Sequence, residues 1–160
     1  LQALHNLVHQ KNKPAELMLV GDGRRKDELK KMVSDLRLDG FVHFLGFTDH
    51  VPALLFHSDI HVLPSKREAL GIANLEAMLM KKPILGASKT GAESIIVHEK
   101  NGLIFENDNV DDLAAQLERL LSNPEWAQTL GLNAYNRIKN NFLEEQKIAQ
   151  LEQFYDRINA

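Results

Sequence analysis

Two carboxylates eight residues apart, Glu68 and Glu76, frame the part of the chain with the most evident chemistry. Before them, Ile60 to Leu63 reads as a buried strand and Pro64-Ser65 as a turn. Between them, Gly71 sits where a polar loop becomes a helix, so bare backbone N–H groups at the helix start can face a ligand. A helix N-terminus carries roughly half a positive charge and favours an anion such as a phosphate. Leu75, Met78 and Leu79 read as the core-facing stripe of that helix, which would hold Glu76 in place beside them. One carboxylate is then offered at the rim of a cleft and a second along its wall. Such a pair suits a ligand with both a phosphate and several hydroxyls, as in a nucleotide sugar. An isolated pair at this spacing is more often a solvated loop residue beside Lys66 or Arg67 and an exposed helix residue. The order strand, turn, glycine-bearing loop and helix argues for the ligand site, because open α/β sheets bind ligands at the carboxyl ends of their strands.

The elements needed to position this unit recur along the chain. Leu1-Gln-Ala-Leu-His-Asn-Leu-Val8 has the spacing of an amphipathic helix. Glu16-Leu-Met-Leu-Val20 reads as a buried parallel strand, Gly21-Asp-Gly23 as a tight turn and Arg24 to Leu38 as a helix. That lone G-x-G lacks the third glycine of the dinucleotide fingerprint and the Lys-Ser/Thr of the P-loop. Phe41 to Leu45 is the next strand. Phe47 beyond it could cover a planar base or be a buried loop aromatic. Val51 to Phe56 makes a short helix, Ile84 to Ala87 a strand, and Asn101 to Phe105 a turn and a last strand. Asn107 to Asp112 lacks the glycine and terminal glutamate of a calcium loop. Its acidic residues read instead as a helix start, with Asp108 as cap and Asp111 and Asp112 in the first turn. Helices over Pro124 to Asn140 and Glu144 to Asn159 close the chain. His50, His57 and His61 share no helix face, so no metal site is expected. His61 reads as a satisfied core or edge histidine.

The composition fits one compact domain: 160 residues, 44% hydrophobic. A net charge of −3 with both signs interspersed gives no basic footprint for nucleic acid. No apolar run reaches membrane-spanning length. The absence of cysteine excludes disulfides and thiolate metal sites and suits a cytoplasmic location.

The run Glu68-Ala-Leu-Gly-Ile-Ala-Asn-Leu-Glu76, followed by Ala77-Met78 and Pro83-Ile-Leu-Gly-Ala87, resembles the E-x7-E region of family-four glycosyltransferases with the two-domain GT-B fold. The likeness extends from Val20-Gly-Asp-Gly23 to Asn101-Gly-Leu-Ile-Phe105 and the C-terminal helices. It departs in three places. Leu70 replaces the usual phenylalanine before Gly71, which should alter packing behind the loop. A lysine stands near 82 where glycine is usual, which suggests a different helix end. Thr90-Gly91-Ala92-Glu93-Ser94 matches the usual Gly-Gly segment imperfectly.

The resemblance implies an α/β fold with a Rossmann-like parallel sheet flanked by helices, the C-terminal half of a GT-B fold. Residues 1–160 would form a single nucleotide-sugar-binding domain, cut just after its first strand, with 141–160 as a C-terminal helix. It implies the donor-binding domain of a retaining hexosyltransferase moving a sugar from a UDP- or GDP-linked donor, with no cofactor and no metal. Glu68 would contact the sugar as the catalytic residue and Glu76 the ribose. The amides of Leu70, Gly71 and Ile72 would face the diphosphate, and Gly21, Gly23 and Phe47 would lie near the donor. The acceptor site would belong to an N-terminal domain of the same protein, so the fragment alone is expected to be inactive. Peripheral membrane association through that domain stays open. The alternatives are a non-catalytic nucleotide- or phosphosugar-binding module and a GT-B-fold sugar-nucleotide epimerase.

Overall fold

In the computed structural model, residues 1–142 are described, which leaves the helix expected over Glu144 to Asn159 outside them. Among the described residues, five parallel strands alternate with helices. β1 (Leu17–Val20) pairs with β2 (Val42–Gly46), and β3 (His61–Leu63), β4 (Ile84–Ala87) and β5 (Leu103–Phe105) form a second group in that order. All pairings are parallel, so the carboxyl ends within each group lie on one side.

Each group has its own helices. α1 (Gln2–His5) runs into a π-helical turn over Asn6–Gln10, and α2 (Lys26–Asp35) follows β1. Leu4, Val33 and Leu38 are buried against Leu17, Val42 and Phe44 of the first pair. In the second group, β4 is buried along its whole length and its side chains alternate between two cores. Ile84 joins α3 (Val51–His57), α4 (Ile72–Leu79), α5 (Ala92–Ile95) and α7 (Pro124–Asn141) through Leu55, Met78, Ile95 and Ile138. Leu85 and Ala87 face the opposite core with Leu103, Phe105, Leu120 and Leu130, between β5, α6 (Val110–Ser122) and α7. Asn6 and Lys11 tie the N-terminal segment to α6 through Asp111 and Glu118.

Several expectations change. β1 and β3 are only half buried, unlike β4, and each is bonded to a neighbour on one side alone. An apolar run cannot distinguish that situation from a strand paired on both sides. α2 is shorter than Arg24 to Leu38 by two residues at its start and three at its end. The cap of α6 is Asn109, whose side chain accepts from the Asp112 N–H, and not Asp108. Asp108 instead has a positive φ of 64° and pairs with Lys66.

Candidate functional site

The motif helix α4 begins immediately after Gly71, as its spacing predicts. Gly71 occupies the left-handed region (φ 77°, ψ 69°), and its carbonyl accepts from the Asn74 N–H at 2.8 Å. No side chain caps this helix start. Its first N–H groups therefore remain available to an anion. Leu63, at the carboxyl end of β3, and Glu68 both border Gly71: a Cβ added there would lie 3.1 Å from Leu63 Cδ2 and 3.4 Å from Glu68 Cγ. Leu70 and Ile72, on either side of Gly71, are exposed.

Glu68 is half buried, and its Oε1 accepts from the Ala69 N–H at 3.1 Å. Glu76 is exposed, and the core-facing stripe differs from the expected one. Asn74, Ala77 and Met78 are buried, whereas Leu79 is 50% exposed. The 3.6-residue repeat puts Ile72, Glu76 and Leu79 on one open face of α4. Glu76 is therefore flanked by two exposed apolar side chains, and not fixed by core neighbours as the sequence suggested.

Gly21, Gly23 and Phe47 form a second cluster, at the carboxyl ends of β1 and β2. The Gly21 N–H donates to the Gly46 carbonyl at 2.7 Å, which draws the two strand ends together. Gly21 has φ 116°, the conformational reason for glycine there, and the Gly23 N–H is taken by Asp22 Oδ1 at 2.8 Å. Phe47 is 83% exposed, which settles it as a surface ring and not a buried loop aromatic.

The segments that depart from the resembling family also find their places. Leu70 lies at the surface, so the change from phenylalanine touches the outside of the loop and not the packing behind it. The end of α4 keeps a left-handed closing residue, Lys81 (φ 58°), with Lys81 N–H to Met78 and Lys82 N–H to Ala77. A lysine performs a turn that glycine makes without strain.

His61 and Asn74 lie beneath the motif loop, and sequence reasoning missed the second. Asn74 is fully buried, and neither atom of its amide has a hydrogen-bond partner; nor does His61 Nε2. His61 is thus not the satisfied histidine expected. Burial pushes its pKa below the ordinary histidine value, while the Asn74 side chain pulls the other way without reaching hydrogen-bond geometry. The signal for Asn74 was its position three residues after Gly71 and four before Met78, on the face that turns inward.

No cluster of three or more His, Asp or Glu able to hold a metal ion occurs among the described residues. A cavity of about 250 Å³ lined by Ser58, Ile60, Lys82, Pro83 and Pro124 opens at the amino ends of β3 and β4, opposite to Gly71, and so does not belong to this site.

This arrangement, an uncapped helix start at a strand's carboxyl end between two carboxylates, coincides with a family match. Residues 1–137 fit the family described as glycosyl transferases group 1. The chain belongs to that family. N-acetyl-alpha-D-glucosaminyl L-malate synthase of Bacillus anthracis is 33% identical over 141 residues, 88% of this chain and 37% of that protein. The crystal structure of HepE from Anabaena in complex with UDP superposes with a TM-score of 0.86 at 25% identity, covering 97% of this chain and 44% of that one. The C-terminal domain of a glycosyl transferase group 1 family protein from Francisella tularensis superposes at 0.75, also at 25% identity, over 89% of this chain and 77% of that one. This group 1 glycosyltransferase chain thus has the α/β fold of a GT-B C-terminal half. It spans less than half the length of the first two relatives. No described helix is long and apolar enough to cross a membrane.

Proposed function

We propose that this chain is the donor-binding half of a retaining glycosyltransferase that transfers a sugar from a UDP- or GDP-linked donor without a metal ion. The observation that carries the proposal is the uncapped start of α4, set at the carboxyl end of β3 with Glu68 before it and Glu76 on its open face. In sugar transfer the bond from the anomeric carbon to the diphosphate oxygen breaks, and negative charge grows on the departing oxygen. Amides fixed at a helix start, where dipoles already point at that charge, stabilise it without reorganising. The family match and the UDP-bound Anabaena neighbour support a nucleotide diphosphate as the anion.

In this reading the Leu70, Gly71 and Ile72 amides face the diphosphate. Glu76 accepts hydrogen bonds from two adjacent ribose hydroxyls, and the exposed apolar surfaces of Ile72 and Leu79 flank it. Glu68 contacts the transferred sugar. Gly21, Gly23 and the exposed Phe47 line the donor's approach from the other strand pair. Acceptor binding belongs to a further domain of the full-length protein, so the 160 residues alone turn over no donor.

The test separates the two carboxylates in the full-length protein. A charge-assisted hydrogen bond is worth about 1.5–3 kcal/mol. Glu76→Gln is expected to weaken UDP or GDP and the intact donor alike. Glu68→Gln is expected to leave free-nucleotide affinity nearly unchanged while lowering kcat and kcat/KM together, as for an interaction made only in the transition state. Equal losses of nucleotide affinity in both variants would overturn the assignment.

A further inference from the structure

Gly91 stands where the chain leaves β4 and enters α5, and its backbone is ordinary right-handed helix (φ −60°, ψ −13°). Any L residue adopts that conformation. Contact, and not conformation, calls for glycine here. A Cβ at 91 would lie 1.7 Å from the Ala69 carbonyl oxygen, 2.3 Å from its carbon and 2.8 Å from the Leu70 nitrogen, whereas real Cβ contacts begin near 3.0 Å. The chain therefore lies directly on the peptide that joins the Glu68 loop to Gly71. The Gly91 N–H also donates to the Glu68 carbonyl at 2.7 Å.

The support behind Gly91 is firm. Thr90 Oγ1 donates to the Ala87 carbonyl at 2.7 Å and accepts from the Ala92 N–H at 3.2 Å, which fixes the turn against the buried end of β4. A second attachment comes from the segment after β5. Asn107 Nδ2 donates to the Lys66 carbonyl at 3.0 Å, while its own N–H donates to Ser88 Oγ at 3.1 Å. The Lys66–Asp108 ion pair beside it is exposed and adds little.

We propose that Gly91, seconded by Asn107, is the positioning residue of the acidic loop. It holds the Glu68 backbone and the Ala69–Leu70 peptide in register with the start of α4, so that carboxylate and amides meet one donor together. The inference rests on the donor-site reading above for its effect on turnover, but the attachment itself is separable from it.

The experiment uses Gly91→Ala, Asn107→Ala and Glu68→Gln in the full-length protein. Amide hydrogen exchange is read at position 91 and at 69–71. UDP affinity is measured by calorimetry, and turnover with UDP-glucose, UDP-N-acetylglucosamine or GDP-mannose as donor. Alanine at 91 must push the Ala69–Leu70 peptide away by more than an ångström, from 1.7 Å to beyond 3.0 Å. A misplacement of that size costs on the order of 10²-fold in rate. Gly91→Ala is expected to speed exchange at these amides and lower kcat by that factor, with a loss of UDP affinity as well because the Leu70 amide moves with the displaced peptide. Asn107→Ala, which introduces no clash, is expected to shift exchange and kcat in the same direction by a smaller factor. Unchanged exchange in both variants overturns the proposal. So does faster exchange with kcat intact, provided Glu68→Gln lowers kcat. If Glu68→Gln leaves kcat intact, the role given to Glu68 falls, and exchange alone decides whether Gly91 fastens the loop.

Discussion

Replacing Gly71 by alanine probes the start of the motif helix most directly. Its backbone lies at φ 77°, ψ 69°, where an L side chain costs about 1–2 kcal/mol. The new Cβ would also meet Asn74 Nδ2 at 2.8 Å and Leu63 Cδ2 at 3.1 Å. Asn74 is fully buried and has no free direction to retreat, so the clash resembles overpacking of a core, typically about 1–3 kcal/mol. The smaller entropy of the unfolded chain offsets under about 1 kcal/mol of this. The net loss is about 2–4 kcal/mol, a fall in Tm of roughly 5–15 °C for a domain of this size. Urea and thermal unfolding of the chain and the variant provide the assay. A double variant, Gly71→Ala with Asn74→Ala, isolates the clash: removing the unpartnered amide should restore part of the loss, and the two changes should fail to add. A loss under about 1 kcal/mol for Gly71→Ala, or strict additivity in the double variant, would refute the account of Gly71 and Asn74.

Three other outcomes are expected. Gly131→Ala should destabilise by at least about 2 kcal/mol in denaturant unfolding despite alanine's better helix propensity, because the added Cβ would sit 2.1 Å from the Lys81 carbonyl oxygen; a gain in stability would contradict that packing. His61 has a folded pKa depressed below the ordinary 6.5, so the unfolded chain binds its proton more readily. The associated stability is whole above pH 6.5 and declines as pH falls from there toward the depressed value. His61→Leu should flatten that part of a Tm-versus-pH curve, and an unaltered slope would count against it. UDP binding to the full-length protein should be the same with and without EDTA in calorimetry; loss of binding on chelation would remove metal independence from the proposed mechanism.

The strand–turn–helix order around the motif was legible because each part has a local cause. Gly71 closes the loop, the apolar spacing after it gives α4, and the run Ile84 to Ala87 carries no charged or polar side chain to oppose a buried strand. The family likeness was legible too, since its residues are contiguous. Burial on individual faces was less so. Leu79 has the type and spacing of a core residue, yet it stands on the open side of α4 with Glu76, and sequence spacing alone cannot say which side of a short helix meets the sheet. Phe47 looked equally suited to core and surface because an aromatic in a loop carries no period. The α6 cap moved by one residue, from Asp108 to Asn109, as both side chains are good caps and only the backbone decides. Gly91 and Gly131 concealed their roles because both have regular dihedrals. A glycine inside a helix such as α7, where alanine would be favoured by about 1 kcal/mol, was the one hint that another backbone comes close.

The contacts at these glycines share a physical consequence. α4 is bounded at its start by Gly71 over Asn74 and Leu63, and at its end by Gly131 of α7 against the Lys81 carbonyl. The loop leading into it is bounded by Gly91 against the Ala69 carbonyl. The two tightest of these contacts are made to peptide carbonyls, so the path of the loop and helix depends little on the outward-pointing side chains. Leu70 can replace a larger aromatic at the surface, and Lys81 can replace a glycine at some cost in strain, without moving the amides of the helix start. The same arrangement leaves Glu68 half exposed and Glu76 exposed, beside apolar side chains but not locked by them. Side chains held by the core could not turn to meet a ligand's hydroxyls, and a backbone free to move could not keep its dipoles aimed at a developing charge. A rigid frame of close-packed backbone carrying accessible carboxylates meets both requirements, and it makes the glycines as decisive for the proposed transfer as the glutamates.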